Sequence, residues 1–307
     1  MKTLTVRHRT TYRYASAVTF GPHRLMIRPR DSHDLRLVAS ALSFTPAGRV
    51  GWMHDVFGNS VTIIEFTEPA TTLEIVSTLT LDRFAGERLA YPLDSEAGTY
   101  PFIYSTDDRT DLGRLLEQHY PDAKNVITDW ARQFVSHKGM DTLELLDAIN
   151  SSMKASFAYQ RRDDEGTQSP VETLARKSGS CRDFALLLIE AVRCLGFGAR
   201  FVAGYLYDPS ADGAAAVGAG ATHAWADIYL PGAGWVEYDP TNGMVAAENL
   251  IRVAVTRDSS QAIPVCGTFV GTPSSYLGMS VDVTVTSADE GKSAAAPLVL
   301  PVQARTG

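Results

Sequence analysis

One segment most constrains the fold of this chain: small residues lead into a cysteine and then into an apolar stretch. Residues 178–185 read SGSCRDFA, and apolar side chains dominate the positions that follow. Ser180 is a favourable N-cap, and Asp183 stands three residues later, where a capping-box side chain belongs. The pattern therefore predicts a helix that begins at Cys181 and ends at Gly196, a glycine suited to a C-cap.

The position of Cys181 in the first helical turn points to nucleophilic chemistry. Free N–H groups and the positive end of the helix dipole favour a thiolate there, and the thiolate is the nucleophilic form. A lone cysteine is weak evidence, because most intracellular cysteines are buried and inert. Cys194, about 220° further round the helix, is expected to face the core, and Cys266 is expected to be a buried packing residue.

A histidine and an aspartate downstream supply the remaining parts of a catalytic triad. His223 lies in the segment THAWAD, and Asp239 lies in the segment GWVEYDP. A cysteine, a histidine and an aspartate in this order can act as nucleophile, base and orienting carboxylate. Asp227 is the second-ranked orienting carboxylate, whereas Asp183 is expected to cap the cysteine helix.

The two strands that carry His223 and Asp239 form a predicted hairpin, and its register decides whether these residues meet. A four-residue loop over 231–234 would place His223 on the opposite side of the sheet from Asp239. A three-residue loop would pair Leu230 with Gly234 and make His223 a diagonal neighbour of Asp239 on the same face. The triad therefore requires a three-residue loop or a bulge, and Gly234 suits the left-handed residue of such a loop.

These motifs together resemble a known family. The segments GSCRDFALL, THAWADIYLPGAGWVEYDPTNG and AVTRDSSQAIPV are similar to the bacterial transglutaminase-like family of the papain-like thiol-enzyme superfamily. The segments HRTTYRYASAV, HRLMIRPR and HDVFGNSV resemble the β-domain that precedes the catalytic domain in that family. The chain departs from the family pattern at 259–261, where an aromatic and an acidic residue are usual. The resemblance implies that Cys181, His223 and Asp239 form the catalytic triad.

The periodicity of the chain predicts an α+β protein in two parts. Residues 3 to about 84 alternate or are β-branched, which is typical of an all-β, sandwich-like unit. Helical stripes follow, and then strands with a period of two that include residues 281–286. We expect an N-terminal β-sandwich-like domain with its linker over 1–108. A transglutaminase-like, papain-like catalytic domain over 109–307 is expected to pack the cysteine helix on an antiparallel sheet.

Three further features are candidate contributors to the site. The backbone N–H of Cys181 is expected to be one oxyanion donor. Tyr159 precedes the cysteine loop and is a candidate oxyanion or substrate contact, although a core aromatic is the more common role. Trp225 beside His223 could line the acyl site or simply pack in the core. The glycine- and alanine-rich segment 209–221 is expected to be a mobile loop at the cleft.

Composition excludes several classes of function. A net charge of −7 without a basic block argues against a nucleic-acid partner. No apolar run approaches the ~18 residues of a membrane span, and the N-terminus lacks an apolar secretory region, so a cytoplasmic location is expected. Three cysteines do not support a disulfide framework, and no motif indicates a metal or another cofactor. The sequence does not define the oligomeric state.

The sequence thus predicts a thiol-dependent acyl-transfer enzyme that acts on peptide or glutamine-type amide bonds through a thioester. Hydrolysis is favoured, because water is always present and no lysine-guiding feature is visible. An amine-accepting transglutaminase is the enzymatic alternative. A binding module that uses the same fold without catalysis is the alternative from a different class.

Overall fold

The N-terminal part of the computed structural model consists of antiparallel strands. The structure describes residues 1–84, 92–161, 166–208, 221–247 and 249–287. The strands are β1 (Lys2–Phe20), β2 (His23–Arg28), β3 (Leu35–Thr45), β4 (Gly48–His54), β5 (Ser60–Phe66) and β6 (Ala70–Arg83). One sheet contains β1, β6 and β3 in that order, and a second contains β2, β5 and β4. Phe20, Leu25, Ile64 and Leu73 lie in one buried cluster between the sheets, which confirms the predicted sandwich-like unit.

Helices and short strands follow along the chain. They are β7 (Thr99–Tyr100), α1 (Thr106–Leu112), α2 (Val126–Arg132), β8 (Met140–Asp141), α3 (Thr142–Ser156), β9 (Ala158–Tyr159), α4 (Pro170–Arg176), β10 (Ser178–Gly179) and α5 (Cys181–Cys194). Turns of 3-10 helix cover Gly113–Leu116, Ser259–Gln261 and Pro273–Ser275. Asp141 caps α3 by accepting a hydrogen bond from the backbone N–H of Glu144 at 2.9 Å. In the described part of the chain, no helix is both long and apolar enough to cross a membrane.

A second antiparallel sheet packs against α5. Its strands are β11 (Ala199–Leu206), β12 (His223–Leu230), β13 (Gly234–Asp239), β14 (Met244–Val245) and β15 (Leu250–Thr256), in the order β14-β13-β12-β11-β15. Twelve of the fourteen residues of α5 are buried. Side chains of α5 share one core cluster with Ala224, Ala226 and Ile228 of β12. The predicted packing of the cysteine helix on the sheet is therefore confirmed.

The C-terminal strands return to the N-terminal sheets. They are β16 (Val265–Cys266), β17 (Phe269–Val270) and β18 (Tyr276–Ser287). β16 pairs with β2, while β17 and β18 pair with β1. This differs from the prediction, which counted residues 281–286 with the catalytic sheet and the whole of 109–307 with one domain. An alternating pattern predicts a strand but does not identify the strand with which it pairs.

The N-terminal sheets also pack on the second sheet. Val6 shares a buried cluster with Tyr205 of β11 and Ile251 of β15. Asn59 accepts a hydrogen bond from the backbone N–H of Val255 at 2.9 Å and donates one to the carbonyl of Val255 at 2.7 Å. The β-sandwich-like unit therefore packs on β11 and β15, of which β11 is a neighbour of β12 in the sheet.

Two predicted segments fall partly outside the described residues. The predicted linker follows the β-unit that ends at about residue 84, and residues 85–91 of it are not described. The rest of the linker is packed, because the backbone N–H of Asp94 donates to the carbonyl of Pro231 at 2.9 Å. The predicted mobile loop also lies outside the described residues, apart from Ala221.

The C-terminal pairing predicts that residues 109–307 do not fold alone. Without β1 and β2, the backbone groups of β16 to β18 lose their partners, and the apolar surface around Ile251 is exposed. We expect this fragment to aggregate or to unfold without a cooperative transition, as followed by circular dichroism. Co-expression with residues 1–108 should restore the transition. A lone fragment that melts cooperatively at the temperature of the full chain would contradict the prediction.

Candidate active site

Asp183 fixes the backbone that leads into Cys181. Ser180 and Asp183 form a capping box, and the buried carboxylate of Asp183 accepts hydrogen bonds from the backbone N–H and the hydroxyl of Ser180, each at 2.8 Å. It also accepts one from the backbone N–H of Gln168 at 2.7 Å. At Gly179 a Cβ atom would lie 2.9 Å from Cβ of Asp183, so this approach requires glycine. The predicted capping role of Asp183 is confirmed.

The hairpin of β12 and β13 brings His223 and Asp239 together. Leu230 pairs with Gly234, so the loop contains three residues, and Gly234 has a φ of 73°. Nε2 of His223 lies 2.8 Å from Oδ2 of Asp239, and both side chains are fully buried. The register that the triad required is therefore present in the structure.

Asp239 is held by the turn that follows it. The backbone N–H of Thr241 donates to Oδ1 of Asp239 at 2.9 Å, and the side-chain amide of Asn242 donates to Oδ2 at 2.9 Å. Burial raises the pKa of Asp239, but the charge of His223 and these hydrogen bonds lower it below its ordinary value. Sequence reasoning missed Asn242, although its place in the turn after Asp-Pro was visible.

His223 has a strongly raised pKa. Burial lowers the pKa of the imidazole, but the carboxylate of Asp239 and then the side chain of Cys181 raise it to a net value of about 10. Sγ of Cys181 lies 4.0 Å from the carbonyl oxygen of Thr222, the residue before His223. Among the described residues, Nδ1 of His223 has no hydrogen-bond partner. Asp239 and Cys181 thus both favour the protonated, cationic form of the His223 imidazole.

Asp227, the second-ranked orienting carboxylate, interacts with an arginine instead of with His223. Its Oδ2 accepts a hydrogen bond from Nε of Arg200 at 2.9 Å. Across the hairpin Asp227 is paired with Glu237. Burial and then the charge of Asp227 raise the pKa of Glu237 to about 7. The geometry thus brings Asp239, and not Asp227, to His223.

The two candidate aromatic residues, Tyr159 and Trp225, take different positions. Tyr159 pairs with Gly179 through the backbone and is 37% exposed; burial and then the charge of Cys181 raise its pKa. Tyr159 is therefore an accessible group close to the cysteine. Trp225 is fully buried, and its ring centroid lies 6.0 Å from that of His223. This placement favours packing behind His223 over contact with a substrate.

Cys194 packs against the core cluster, as predicted, but neither Cys194 nor Cys266 is fully buried. Cys194 and Cys266 are half-buried, whereas Cys181 is the buried thiol, and all three are free. Cys194 ends α5 and accepts hydrogen bonds from the side-chain amide of Gln118 at 2.7 Å and the hydroxyl of Thr128 at 3.3 Å. Burial still raises the pKa of the Cys194 thiol. The angular position of Cys194 on the helix predicts the direction of its side chain. It does not reveal Gln118 and Thr128, whose side chains contact the thiol.

A cysteine at the start of a buried helix, beside a His–Asp pair on an antiparallel sheet, defines a thiol-enzyme type of fold. Residues 128–240 match the model of the transglutaminase-like superfamily. Residues 4–82 match the model of the bacterial transglutaminase-like N-terminal region. The resemblance to the bacterial transglutaminase-like family that the sequence motifs indicated is therefore confirmed over these two regions.

Related proteins extend over most of the chain. An uncharacterized protein of Mycobacterium tuberculosis (strain ATCC 25618 / H37Rv) is 29% identical over 294 residues, which cover 91% of each chain. An uncharacterized protein of Mycobacterium leprae is 27% identical and covers 91% of this chain and 97% of its own length. A crystal structure from Cytophaga hutchinsonii, described as a candidate cysteine protease, aligns with a TM-score of 0.70 at 19% identity. That alignment covers 98% of this chain and 94% of the other, and it shows a shared fold.

The raised pKa of His223 predicts a pH-dependent contribution to stability. The pKa of His223 is about 10 in the folded state and 6.5 ordinarily, so its protonation stabilises the fold fully below pH 6.5. This stabilisation is lost as the pH rises through 10. We expect the wild type to lose free energy of unfolding relative to His223→Gln between pH 6.5 and pH 10. Urea unfolding at a series of pH values measures this difference. A difference that stays constant over that range would contradict the assignment.

Proposed function

We propose that this protein is a thiol-dependent acyl-transfer enzyme that acts on peptide or glutamine-type amide bonds and that hydrolysis is its main reaction. Cys181 is the nucleophile, His223 the acid–base residue and Asp239 the orienting carboxylate. The observation that carries the proposal is the buried 2.8 Å contact between His223 and Asp239 next to a cysteine at a helix N-terminus. A peptide or protein amide is the proposed partner.

In the first step the thiolate of Cys181 attacks the carbonyl carbon of the amide. A C–S bond forms, and the tetrahedral intermediate carries negative charge on the former carbonyl oxygen. The backbone N–H of Cys181 is free of an intrahelical acceptor and can donate to that oxygen. The accessible Tyr159 is the candidate for a second donor.

Collapse of the intermediate breaks the C–N bond. The imidazolium of His223 gives its proton to the departing amine, so the thioester and a neutral amine are formed. In the second step water attacks the thioester while His223 accepts a proton from it. The carbon–sulfur bond then breaks, which releases a carboxylic acid and restores the pair of Cys181 and His223.

Asp239 orients the imidazole throughout this cycle. It accepts the hydrogen bond of Nε2, and Thr241 and Asn242 hold its carboxylate in place. Nδ1 is then the nitrogen that exchanges protons with Cys181 and the substrate. A carboxylate in this role stabilises the imidazolium and selects its orientation without being protonated itself.

Substitutions in the proposed triad should separate these roles. We expect Cys181→Ala and His223→Ala to abolish turnover of an amide substrate, because triad members act as a unit. Asp239→Asn should lower the rate by about 10²–10⁴-fold through loss of imidazole orientation. Asp227→Asn is the matched carboxylate control and should cost far less. Circular dichroism confirms that each variant is folded, and a larger loss for Asp227→Asn would overturn the assignment of Asp239.

The masses of the products show whether water or an amine accepts the acyl group from the thioester. The enzyme is incubated with a glutamine-containing peptide library and a labelled primary amine. Hydrolysis predicts cleaved peptides or glutamate products without label, while a transglutaminase would incorporate the amine. No product with the wild type, combined with no acyl adduct on Cys181, would favour the binding-module alternative and contradict the proposal.

A further inference from the structure

A cavity of about 290 Å³ lies between the N-terminal unit and the second sheet. One wall comes from the segment between β2 and β3, the turn between β4 and β5 and the end of β6, and the other wall comes from β11 and β15. The side-chain hydrogen bonds of Asn59 to the backbone of Val255 join the two walls. The three proposed triad residues, all of which the structure describes, are not among the lining residues. The cavity is therefore a feature that the proposed reaction does not use.

Arginine dominates the charged part of the lining. The described lining holds four arginines and two aspartates, which are Arg30, Arg83, Arg200, Arg252, Asp31 and Asp34. The chain as a whole has the opposite balance, since its net charge is −7. Each guanidinium presents a planar fork of donors that matches the geometry of carboxylate and phosphate groups. The local excess of positive charge therefore indicates a site that attracts an anion.

One carboxylate in the lining is shared by two arginines. Oδ2 of Asp34 accepts a hydrogen bond from Nη1 of Arg83 and lies 3.8 Å from Nη2 of Arg252. Burial raises the pKa of Asp34, but the hydroxyl of Ser32 and the two guanidinium groups lower it to about 2. Asp34 is therefore ionised at neutral pH, and its single negative charge faces two positive charges.

The arginines of the second sheet have carboxylate partners that do not line the cavity. Nη2 of Arg200 lies 2.8 Å from Oδ2 of the buried Asp227. Nε of Arg252 lies 3.4 Å from Oε1 of Glu237, whose pKa of about 7 leaves it only partly ionised at neutral pH. These contacts fix the direction of both guanidinium groups, so their positions in the wall are set before a ligand binds.

Arg30 is a lining arginine without a carboxylate partner. Its Nη1 donates a hydrogen bond to the carbonyl of Gly58 at 2.6 Å, and it forms no ion pair with a carboxylate among the described residues. Gly58 has a φ of 75°, and a Cβ atom at this position would displace the guanidinium. A carbonyl acceptor holds the guanidinium in place and leaves its charge unbalanced. Arg30 is exposed, so an anion can reach it from solvent.

We propose that this cavity binds a small organic dianion, either a phosphate monoester or a dicarboxylate, whose charged groups contact Arg30, Arg83 and Arg252. Phe57, Leu250 and Val253 also line the cavity and provide an apolar surface for the carbon part of the ligand. The volume lies near the lower end of the roughly 300–1,000 Å³ of small-molecule pockets, which suits a small molecule and not a polymer. The inference is independent of the proposed amide chemistry.

Isothermal titration calorimetry of the full chain at pH 8 tests the proposal with three probes. Phenyl phosphate and glutarate are the organic dianions, and phenol is the neutral control. We expect at least one dianion to saturate a single site with a dissociation constant of about 1 mM or lower, and phenol not to saturate it. Tighter binding of phenyl phosphate identifies a phosphate monoester as the ligand class, and tighter binding of glutarate identifies a dicarboxylate. Absence of saturable binding by both dianions would overturn the inference.

Variants of Arg30 show whether the dianion occupies this cavity. Arg30→Gln should weaken binding by about tenfold, because a charged hydrogen-bond donor is lost, and Arg30→Lys should weaken it less. Arg49→Gln removes an exposed arginine of β4 that does not line the cavity and should bind like the wild type. Circular dichroism checks that each variant is folded. Equal affinities of Arg30→Gln and the wild type would place the ligand elsewhere and contradict the inference.

One more variant separates this cavity from the proposed active site. Cys181→Ala should bind the dianion with the affinity of the wild type, because Cys181 does not line the cavity. Loss of dianion binding in Cys181→Ala would place the ligand at the proposed triad and overturn the inference. Failure of the proposed function would appear differently, as absent amide turnover in a wild type that still binds the dianion.

Discussion

The burial of α5 against the sheet is the constraint on which the site depends. Twelve of its fourteen residues are buried, and each fully buried Leu, Ile or Val side chain contributes roughly 1.5–3 kcal/mol. This packing fixes the axis of the helix, and Asp183 then fixes its first turn. Cys181 therefore occupies one position relative to β12, in a turn whose first N–H groups have no acceptor within the helix.

The His–Asp pair lies in a part of the central sheet that is closed off from water, since both side chains are fully buried. α5 packs against β12, while the N-terminal sheets pack on β11 and β15. Only one residue of β11 is not buried, as is usual for a strand between two layers. A charged pair in such a place requires complete hydrogen bonding, because removing one partner leaves an uncompensated charge. Thr241 and Asn242 meet this requirement for Asp239.

The site could be predicted from sequence to the extent that it depends on local rules. The N-cap at Ser180 follows from residue type and spacing. The three-residue loop is one of two possible registers, chosen because the triad requires it, and the left-handed Gly234 suits it. The pairing of β18 with β1 could not be derived in this way, because alternation is the same whichever strand is the partner. The half-burial of Cys194 depends on Gln118 and Thr128, which are distant in sequence.

The central claim is that Asp239 and Cys181 hold His223 as a buried imidazolium. Nitrogen-15 NMR of histidine-labelled protein at pH 8 tests it most directly, with His223→Gln used to assign the signal. Both ring nitrogens of His223 should carry protons at this pH, since its pKa is about 10. In Asp239→Asn the ring should become neutral. A neutral ring with one protonated nitrogen in the wild type at pH 8 would contradict the account.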